Sequence, residues 1–357
     1  MCITAIIVNY HTASLLLPLL KHLEENPLVS QIVIADNSNE LSASGFQKDF
    51  STEIRMILNG QNRGFGAAVN QAAAYADKEW ILLVNPDIRF EENCIARLLD
   101  AARKYNTPLA GPRFYWDDEM SFRLPPSSGS CLWTTFAGKC AEGYQLDAEM
   151  LSFYWMLRHD RFWNAVEPFY EPFLSGACIL IEKKWISDSG GSIFDERFFL
   201  YYEDTDLCAR AVCNGIRPIC VPDAKAVHYY DQAPSPDSPK SDLMHQSFCS
   251  FFSKYYKNIR LPEIQEKYIP FHLEDMGTVK DSPQFQFHKD MLGDEQYFLE
   301  IGINSFFVPF AQTFYEKNFP QIPTSIWSHL SPGQYFTRIR AEISGTRRIW
   351  KWEKTDS

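Results

Sequence analysis

The first 105 residues alternate short apolar runs with amphipathic stretches, and the runs stop at polar side chains. Residues 4–9, 31–36, 53–58 and 79–85 have the length and the β-branched content of strands. Between the first two, Leu15, Leu16, Leu19, Leu20 and Leu23 share one helical face behind a candidate cap at Thr12. Residues 66–76 read as a helix of small side chains, and 91–105 as a further helix. This alternation predicts a mainly parallel sheet covered on both faces, with ligands held at the carboxyl ends of its strands. Asn9, Asp36, Asn59 and Asp87 stand at such ends.

From 115 to 173 the pattern is irregular, with Pro125-Pro126 and many aromatic residues, and predicts no particular element. Residues 177–182 form a strand, Glu203 opens a helix that ends near Gly215, and 217–228 return as a strand. The proline-rich run 232–242 reads as an exposed loop before a helix over 244–257. Beyond 262 the texture changes. Tyr297, Leu299, Ile301 and Ile303 alternate, as do Tyr335, Thr337, Ile339, Ala341 and Ile343 before a turn at Ser344-Gly345-Thr346. The expectation is an α/β domain over 1–261 and a small β-rich appendage over 262–357.

Hydrophobic residues at 45% and aromatic residues at 15% exclude general disorder. A formal charge of −11 excludes a domain-wide cationic field, so no nucleic-acid partner is expected. The nine cysteines show no metal-type spacing and read as the reduced thiols of a cytoplasmic protein, with Cys131 and Cys140 the one pair considered for a disulfide. The N-terminus lacks a basic segment and cleavage site, so no signal peptide is expected. No apolar run approaches the roughly 20 residues that cross a bilayer, which makes any membrane contact peripheral.

The acidic run Glu203-Asp204-Thr205-Asp206 follows Phe198-Phe199-Leu200-Tyr201-Tyr202. Clustered carboxylates beside apolar surface call for a cation or an abstractable proton opposite them. Asp206 and Arg210, four apart, can pair on one helix face, whereas Glu203 and Asp204 point about 100° apart. One of those two can deprotonate a hydroxyl while the other orients it; the alternative is compensation of the helix dipole. Asp87, after the apolar run 80–84 and Asn85-Pro86, can hold Mg2+ or Mn2+ beside diphosphate oxygens, or simply cap the next helix. His228 can complete that shell or be a packed side chain. Asn9, Tyr10 and Asp36 can hold a nucleotide base or cap strand ends. Asn62-Arg63-Gly64-Phe65-Gly66, with Asn70 one turn on, suits an anion at a helix N-terminus or a structural turn.

Taken in order, ITAIIVNYHT, IVIADNSN, NGQNRGFGAAVNQA, WILLVNPDI, FLSGACILI and FDERFFLYYEDTDLCARAVCNGIRPICVPDAKAVH resemble the inverting family 2 glycosyltransferases of GT-A fold, the rhamnosyltransferase-like members especially. The resemblance covers roughly 3–260. It implies transfer of a sugar from a nucleotide-diphospho-sugar to a hydroxyl with inversion. By that likeness Asp36 contacts the base, Asp87 takes the metal role of the family's DxD motif, and His228 is a further ligand. Asp204 is the general base supported by Glu203 and Asp206, and Ser175, Gly176 and Ala177 lie near the transferred sugar. Asn85-Pro86-Asp87 departs from the family in supplying one carboxylate where many relatives have two.

The expected activity is transfer of a sugar, rhamnose favoured, from a dTDP- or UDP-sugar to a saccharide or polyprenyl-diphosphate-linked acceptor in bacterial surface polysaccharide biosynthesis. The expected location is the cytoplasm, at the inner face of the membrane. Arg338, Arg340, Arg347, Arg348, Lys351 and Lys354 near Trp350 and Trp352 suggest a peripheral membrane contact or, ahead of it, an ordinary hairpin or homo-oligomer contact. Two alternatives accompany this reading: a sugar nucleotidyltransferase, which normally has a Gly-rich loop where Val8-Asn9-Tyr10-His11 has no glycine, and a catalytically inactive glycan-binding protein of the same fold.

Overall fold

The computed structural model describes residues 3–41, 50–234, 238–265, 267–270, 272–287, 296–315, 320–342, 345 and 347–355. In chain order the elements are β1 (Ile3–Asn9), α1 (Ala13–Glu25), β2 (Val29–Asp36), β3 (Glu53–Leu58), α2 (Phe65–Ala73), β4 (Trp80–Val84), β5 (Ile88–Phe90), α3 (Cys94–Lys104), β6 (Leu109–Tyr115), α4 (Leu132–Gly143) and α5 (Gln145–Asn164). There follow β7 (Phe169–Tyr170), β8 (Cys178–Glu182), α6 (Lys183–Asp188), α7 (Glu203–Cys213), β9 (Ile219–His228), α8 (Lys240–Tyr255), β10 (Leu273–Val279), β11 (Tyr297–Gly302), β12 (Phe310–Tyr315), α9 (Thr324–His329), β13 (Gly333–Ala341) and β14 (Arg347–Lys354). The turn expected at Ser344-Gly345-Thr346 has its flanking residues outside the described set, as does the middle of the loop expected over 232–242.

Contacts divide the chain into two compact units. The first comprises Met1–Arg113, Ala165–His228 and Gln232–Asn258; the second comprises Phe114–Asn164, Tyr229–Asp231 and Ile259–Ser357. The irregular segment 115–164, which a linear split leaves with the N-terminal domain, thus clusters with the C-terminal residues. That segment holds the two helices α4 and α5 that periodicity did not reveal, because α5 is apolar on more than one face.

The first unit is built on a sheet of order β3-β2-β1-β4-β8-β6-β9-β5, with β7 paired to β9. The expected parallel half is β3-β2-β1-β4, and the sheet is mixed, since β8 runs antiparallel to β4 and to β6, and β9 antiparallel to β5 and β7. β1 and β4 are buried along their whole length, as strands covered on both faces must be, whereas edge strand β3 is only partly buried. Their side chains meet α2 and α7 in one core that includes Ile6, Val33, Val69, Leu83, Ile181, Phe194 and Leu207. The parallel register pairs Asn9 with Asp36 and Asp36 with Leu58, so the strands end together.

The second unit carries a sheet of order β10-β14-β13-β11-β12, antiparallel apart from the parallel pair β10/β14. β13 and β14 form a hairpin-like pair, the ordinary reading of the basic C-terminal stretch. Trp350 and Trp352 are in the core, with indole N–H groups donated to Glu274 Oε2 (3.0 Å) and Thr337 Oγ1 (2.9 Å), so neither ring is available to a bilayer. Arg338 and Arg340 are buried as well. Glu300 lies directly across from Arg338 on one side and from Gln312 on the other. Its carboxylate accepts from Arg338 Nε, Arg340 Nε (3.0 Å) and Gln312 Nε2 (3.2 Å), while Arg338 Nη1 donates to Ser152 Oγ of α5 (3.0 Å). Removing the single acid strands two buried guanidinium groups. Glu300→Ala is expected to cost about 3–5 kcal/mol, read as a lowered midpoint in urea; a loss below about 1 kcal/mol would contradict this.

Among the described residues no helix is long and apolar enough to cross a membrane. Cys131 and Cys140 are free thiols.

Candidate active site

The carboxyl ends of β1 and β2 are tied together by side chains. The Asn9 amide, wholly buried, donates to Asp36 Oδ1 (3.0 Å), Ser38 Oγ (3.1 Å) and Glu40 Oε2 (3.1 Å), and its carbonyl accepts from the Thr12 hydroxyl (2.9 Å). Thr12, the expected helix cap, makes no side-chain cap bond and braces Asn9 instead. Asp36 accepts further hydrogen bonds from Ser38 N (3.0 Å), Ser38 Oγ (2.7 Å) and Leu41 N (2.9 Å). Burial pushes its carboxyl up, but the donors from Leu41, Asn9 and Ser38 outweigh this and hold it below the ordinary aspartate value. Asp36 is therefore ionised and shapes the loop after β2. Tyr10 is half-buried beside His11, ring centroids 4.7 Å apart.

The loop before α2 is organised by amides. Asn37 donates to Asn62 Oδ1 and to the Gly64 carbonyl (both 3.2 Å) and accepts from Asn59 Nδ2 (2.8 Å), while Asn62 Oδ1 also takes Gly64 N–H (2.9 Å). Sequence marks Asn37 only beside Asp36 as a possible base contact; the structure makes it the hub of this loop. Gly64 has φ +83°, and a Cβ there would lie 2.6 Å from the Phe199 carbonyl oxygen, which accepts from Phe65 N–H (2.8 Å). Gly64→Ala is expected to destabilise the first unit by about 1–3 kcal/mol, visible as a fall in Tm; an unchanged Tm would show that this approach is not required. Asn70, a candidate donor ligand, instead clasps the backbone of Phe194, donating to its carbonyl (2.8 Å) and accepting from its N–H (3.0 Å). Arg63 is exposed and has no ion-pair partner among the described residues.

Beyond β4, Asn85-Pro86-Asp87 turns the chain into β5. Ile88 pairs with His228 across the antiparallel β5/β9 register, which sets Asp87 beside that histidine. His228 Nε2 lies 3.3 Å from Asp87 Oδ2, and both side chains are buried. Asn85 N–H donates to the Ala177 carbonyl (2.8 Å). One residue back, Gly176 N–H donates to Asp204 Oδ2 (2.9 Å), and a Cβ at 176 would press on Asp204 Cβ at 3.1 Å. Ser175 Oγ accepts from Ala177 N–H (3.3 Å). Short contacts thus run from Asn85, two residues before Asp87, through the 175–177 turn to Asp204.

The three acids of α7 have different surroundings. Asp206 is fully buried and held by Arg210 Nε (2.9 Å), Lys254 Nζ and Tyr255 Oη (2.8 Å), the last two from α8; this makes it a strut. Nothing in the sequence linked α8 to this acid across some 48 residues. Asp204 remains partly exposed; Oδ1 accepts Thr205 N–H (2.6 Å), and desolvation raises its pKa despite the N–H donors. Glu203 is buried with Oε2 lacking a hydrogen-bond partner, and burial, then the neighbouring Asp204 charge, push its pKa to about 8. At neutral pH Glu203 is mostly protonated, so the pair does not carry two full charges.

A folded-state pKa above the unfolded one means the native state holds the extra proton. Glu203 therefore contributes stability that is fully present below about pH 4.5 and is lost as pH rises through about 8. Tm followed from pH 5 to 9 should fall more steeply for the wild type than for Glu203→Gln; equal slopes would contradict a neutral Glu203.

For a divalent cation the donor set is one carboxylate and one imidazole. Among the described residues no group of three or more His, Cys, Asp or Glu side chains could hold a metal. With two protein donors, Asp87 and His228 suit an open cation site and not a closed structural one.

Residues 4–189, just over half of the chain, match the family model for glycosyl transferase family 2. An N-acetylglucosaminyl-diphospho-decaprenol L-rhamnosyltransferase of Mycobacterium tuberculosis is 27% identical over 218 residues, covering 56% of this chain and 66% of that protein. The low-salt glycan biosynthesis hexosyltransferase Agl10 of Haloferax volcanii is 22% identical over 214 residues, covering 58% of this chain and 61% of its own. The chain thus spans just under two thirds of the length of these relatives. The structure of GalNAc-T7 with UDP, GalNAc and Mn2+ has a TM-score of 0.51 at 16% identity, covering 72% of this chain and 49% of that one, a likeness of fold. With the mixed sheet, the aligned strand ends and the family match in place, the chain belongs to glycosyl transferase family 2 and has the GT-A fold.

Proposed function

We propose that the protein is an inverting glycosyltransferase that moves a sugar, rhamnose favoured, from a dTDP- or UDP-sugar to a hydroxyl of a lipid-linked or growing saccharide in surface polysaccharide biosynthesis. The observation that carries this reading is the run of contacts at one sheet edge: Asp87 with His228, Asn85 with Ala177, Gly176 with Asp204. On this reading the leaving nucleotide lies by Asp87 and His228, and the partly exposed Asp204 carboxylate faces the acceptor. Asp204 takes the proton of the acceptor hydroxyl, its raised pKa bringing it nearer the working pH than an ordinary aspartate. Glu203, neutral and packed behind it, supports it without adding a second charge, and Asp206 fixes α7.

At the other end, Asp36, Asn9 and Tyr10 frame the base pocket, and the Asn62–Gly64 loop with Arg63 faces the diphosphate. Asp87 and His228 would hold Mg2+ or Mn2+, which supplies charge neutralisation for the departing diphosphate. Ser175 and Gly176 border the transferred sugar. The Mycobacterium tuberculosis relative is named for a polyprenyl-diphosphate-linked N-acetylglucosamine acceptor, so an acceptor of that class, met at the cytoplasmic face of a membrane, is the first to try.

The test is incubation with dTDP-rhamnose and a panel of UDP-sugars in the presence of Mn2+ and a prenyl-diphosphate-linked N-acetylglucosamine, with nucleoside diphosphate release and acceptor mass as readouts. Release coupled to a mass increase of one sugar is expected. Pyrophosphate-dependent formation of a nucleoside triphosphate would indicate a nucleotidyltransferase, and binding without turnover an inactive glycan-binding protein.

A further inference from the structure

The helical pair α4–α5 of the second unit is apolar on two sides. One side of α5, with Ala148, Leu151, Trp155, Phe162 and Trp163, is buried, and Ala148, Leu151 and Trp155 pack with Phe307, Phe310, Phe336 and Ile349. The other side remains just as apolar. Leu146, Met150, Phe153, Tyr154 and Leu157 follow helical spacing along it, and Trp133, Phe136 and Tyr144 extend the same character through α4 and the one-residue connection. All eight are between 42% and 73% exposed, and the Trp133 and Tyr154 rings meet edge-on at 4.9 Å. An apolar helix face packs against a partner, and among the described residues nothing covers this one.

The size of the uncovered face narrows what covers it. A fully buried aromatic side chain removes about 150–250 Å2 from water, so eight large side chains about half exposed leave roughly 800 Å2. That exceeds the largest apolar patch of an ordinary monomer, about 300–600 Å2, and equals one partner's share of a standard interface, about 800 Å2. Its composition, aromatic residues, leucine and methionine with few charges, is that of a subunit interface core. The charges beside it, Lys139 paired with Glu142 (2.9 Å), Asp147 and Arg161, are of both signs, and the chain carries −11 overall. An anionic bilayer surface calls instead for a rim of lysine and arginine.

We infer that the exposed face of α4 and α5 is covered by the same face of a second copy of this chain, forming an isologous dimer. Two apolar faces laid on each other about a two-fold axis meet their own residues, so no separate complementary patch is needed. This places self-association on the helical pair and not on the basic C-terminal stretch, whose tryptophans are buried.

Sedimentation velocity of the full chain over about 1–100 µM decides it, beside the double variant Leu146→Glu/Phe153→Glu, whose exposed positions leave the fold intact by circular dichroism and Tm. A wild-type dimer and a variant whose dissociation constant is raised at least about tenfold are expected. A wild type monomeric throughout, or a dimer indifferent to both glutamates, overturns the inference. So does a monomer that pellets with phosphatidylcholine vesicles in a Phe153-dependent way, which would assign the face to lipid. Nucleotide binding measured on the same variant should be unchanged, since none of these residues belongs to the proposed active site.

Discussion

Asp204→Asn is expected to lower the turnover of sugar transfer by about 10²–10⁴-fold while donor nucleotide still binds, because the substitution removes a proton acceptor and keeps the side-chain shape. Its surroundings make the comparison demanding. Asp204 accepts Thr205 N–H on one oxygen and Gly176 N–H on the other, and an amide has only one oxygen. One of those N–H groups therefore loses its acceptor, at a cost of about 1–3 kcal/mol, so Tm and nucleotide affinity must be measured on the same preparation. Loss of transfer with affinity kept is the signature of a base. Loss of both would mean that the carboxylate mainly holds the 175–177 turn, and full turnover would remove it from the chemistry. Asp206→Asn should behave differently, losing stability first, since its carboxylate is spent on Arg210, Lys254 and Tyr255.

Asp87→Ala should have the second largest effect, on binding of the nucleotide diphosphate as well as on transfer. Asp87 is the one carboxylate of Asn85-Pro86-Asp87 after β4, and removing it leaves His228 without its neighbouring acid. Titration of UDP or dTDP with and without Mn2+ should show metal-enhanced affinity in the wild type, none in Asp87→Ala and a reduced enhancement in His228→Ala. A loss of about 10²-fold in kcat/KM for Asp87→Ala is expected from forfeited electrostatic stabilisation of the leaving group. Wild-type enhancement in Asp87→Ala would relocate the cation or dispense with it.

The parallel half of the main sheet was legible because β1 and β4 are apolar on both faces, and because the runs of β1, β2 and β4 close on or are followed by the polar residues Asn9, Asp36 and Asn85. The antiparallel half was not. β5 is three residues long and pairs with β9 well over a hundred positions later, and neither length nor periodicity signals such a partner. The helices of 132–164 escaped for the opposite reason: with two apolar faces, α5 offers no contrast from which to read a period. At the site, the motifs named Asp87, His228, Gly176 and Asp204, and the structure sets Asp87 beside His228 and Gly176 beside Asp204. Motifs could not separate a ligand from a brace. Asn70 reads like a donor ligand and grips Phe194; Asp206 reads like a catalytic acid and anchors α7 to α8; Thr12 reads like a helix cap and steadies Asn9. Those distinctions depend on partners 48 to 124 residues away or on loop geometry, and only the fold supplies them.

Stereochemistry bears most directly on the central claim that one cleft sets Asp204 opposite a diphosphate leaving from the Asp87–His228 edge. A single displacement across that cleft inverts the anomeric centre. One-bond carbon–hydrogen coupling at the anomeric position of the isolated product, compared with the donor, should show the inverted configuration; a product of retained configuration would contradict it.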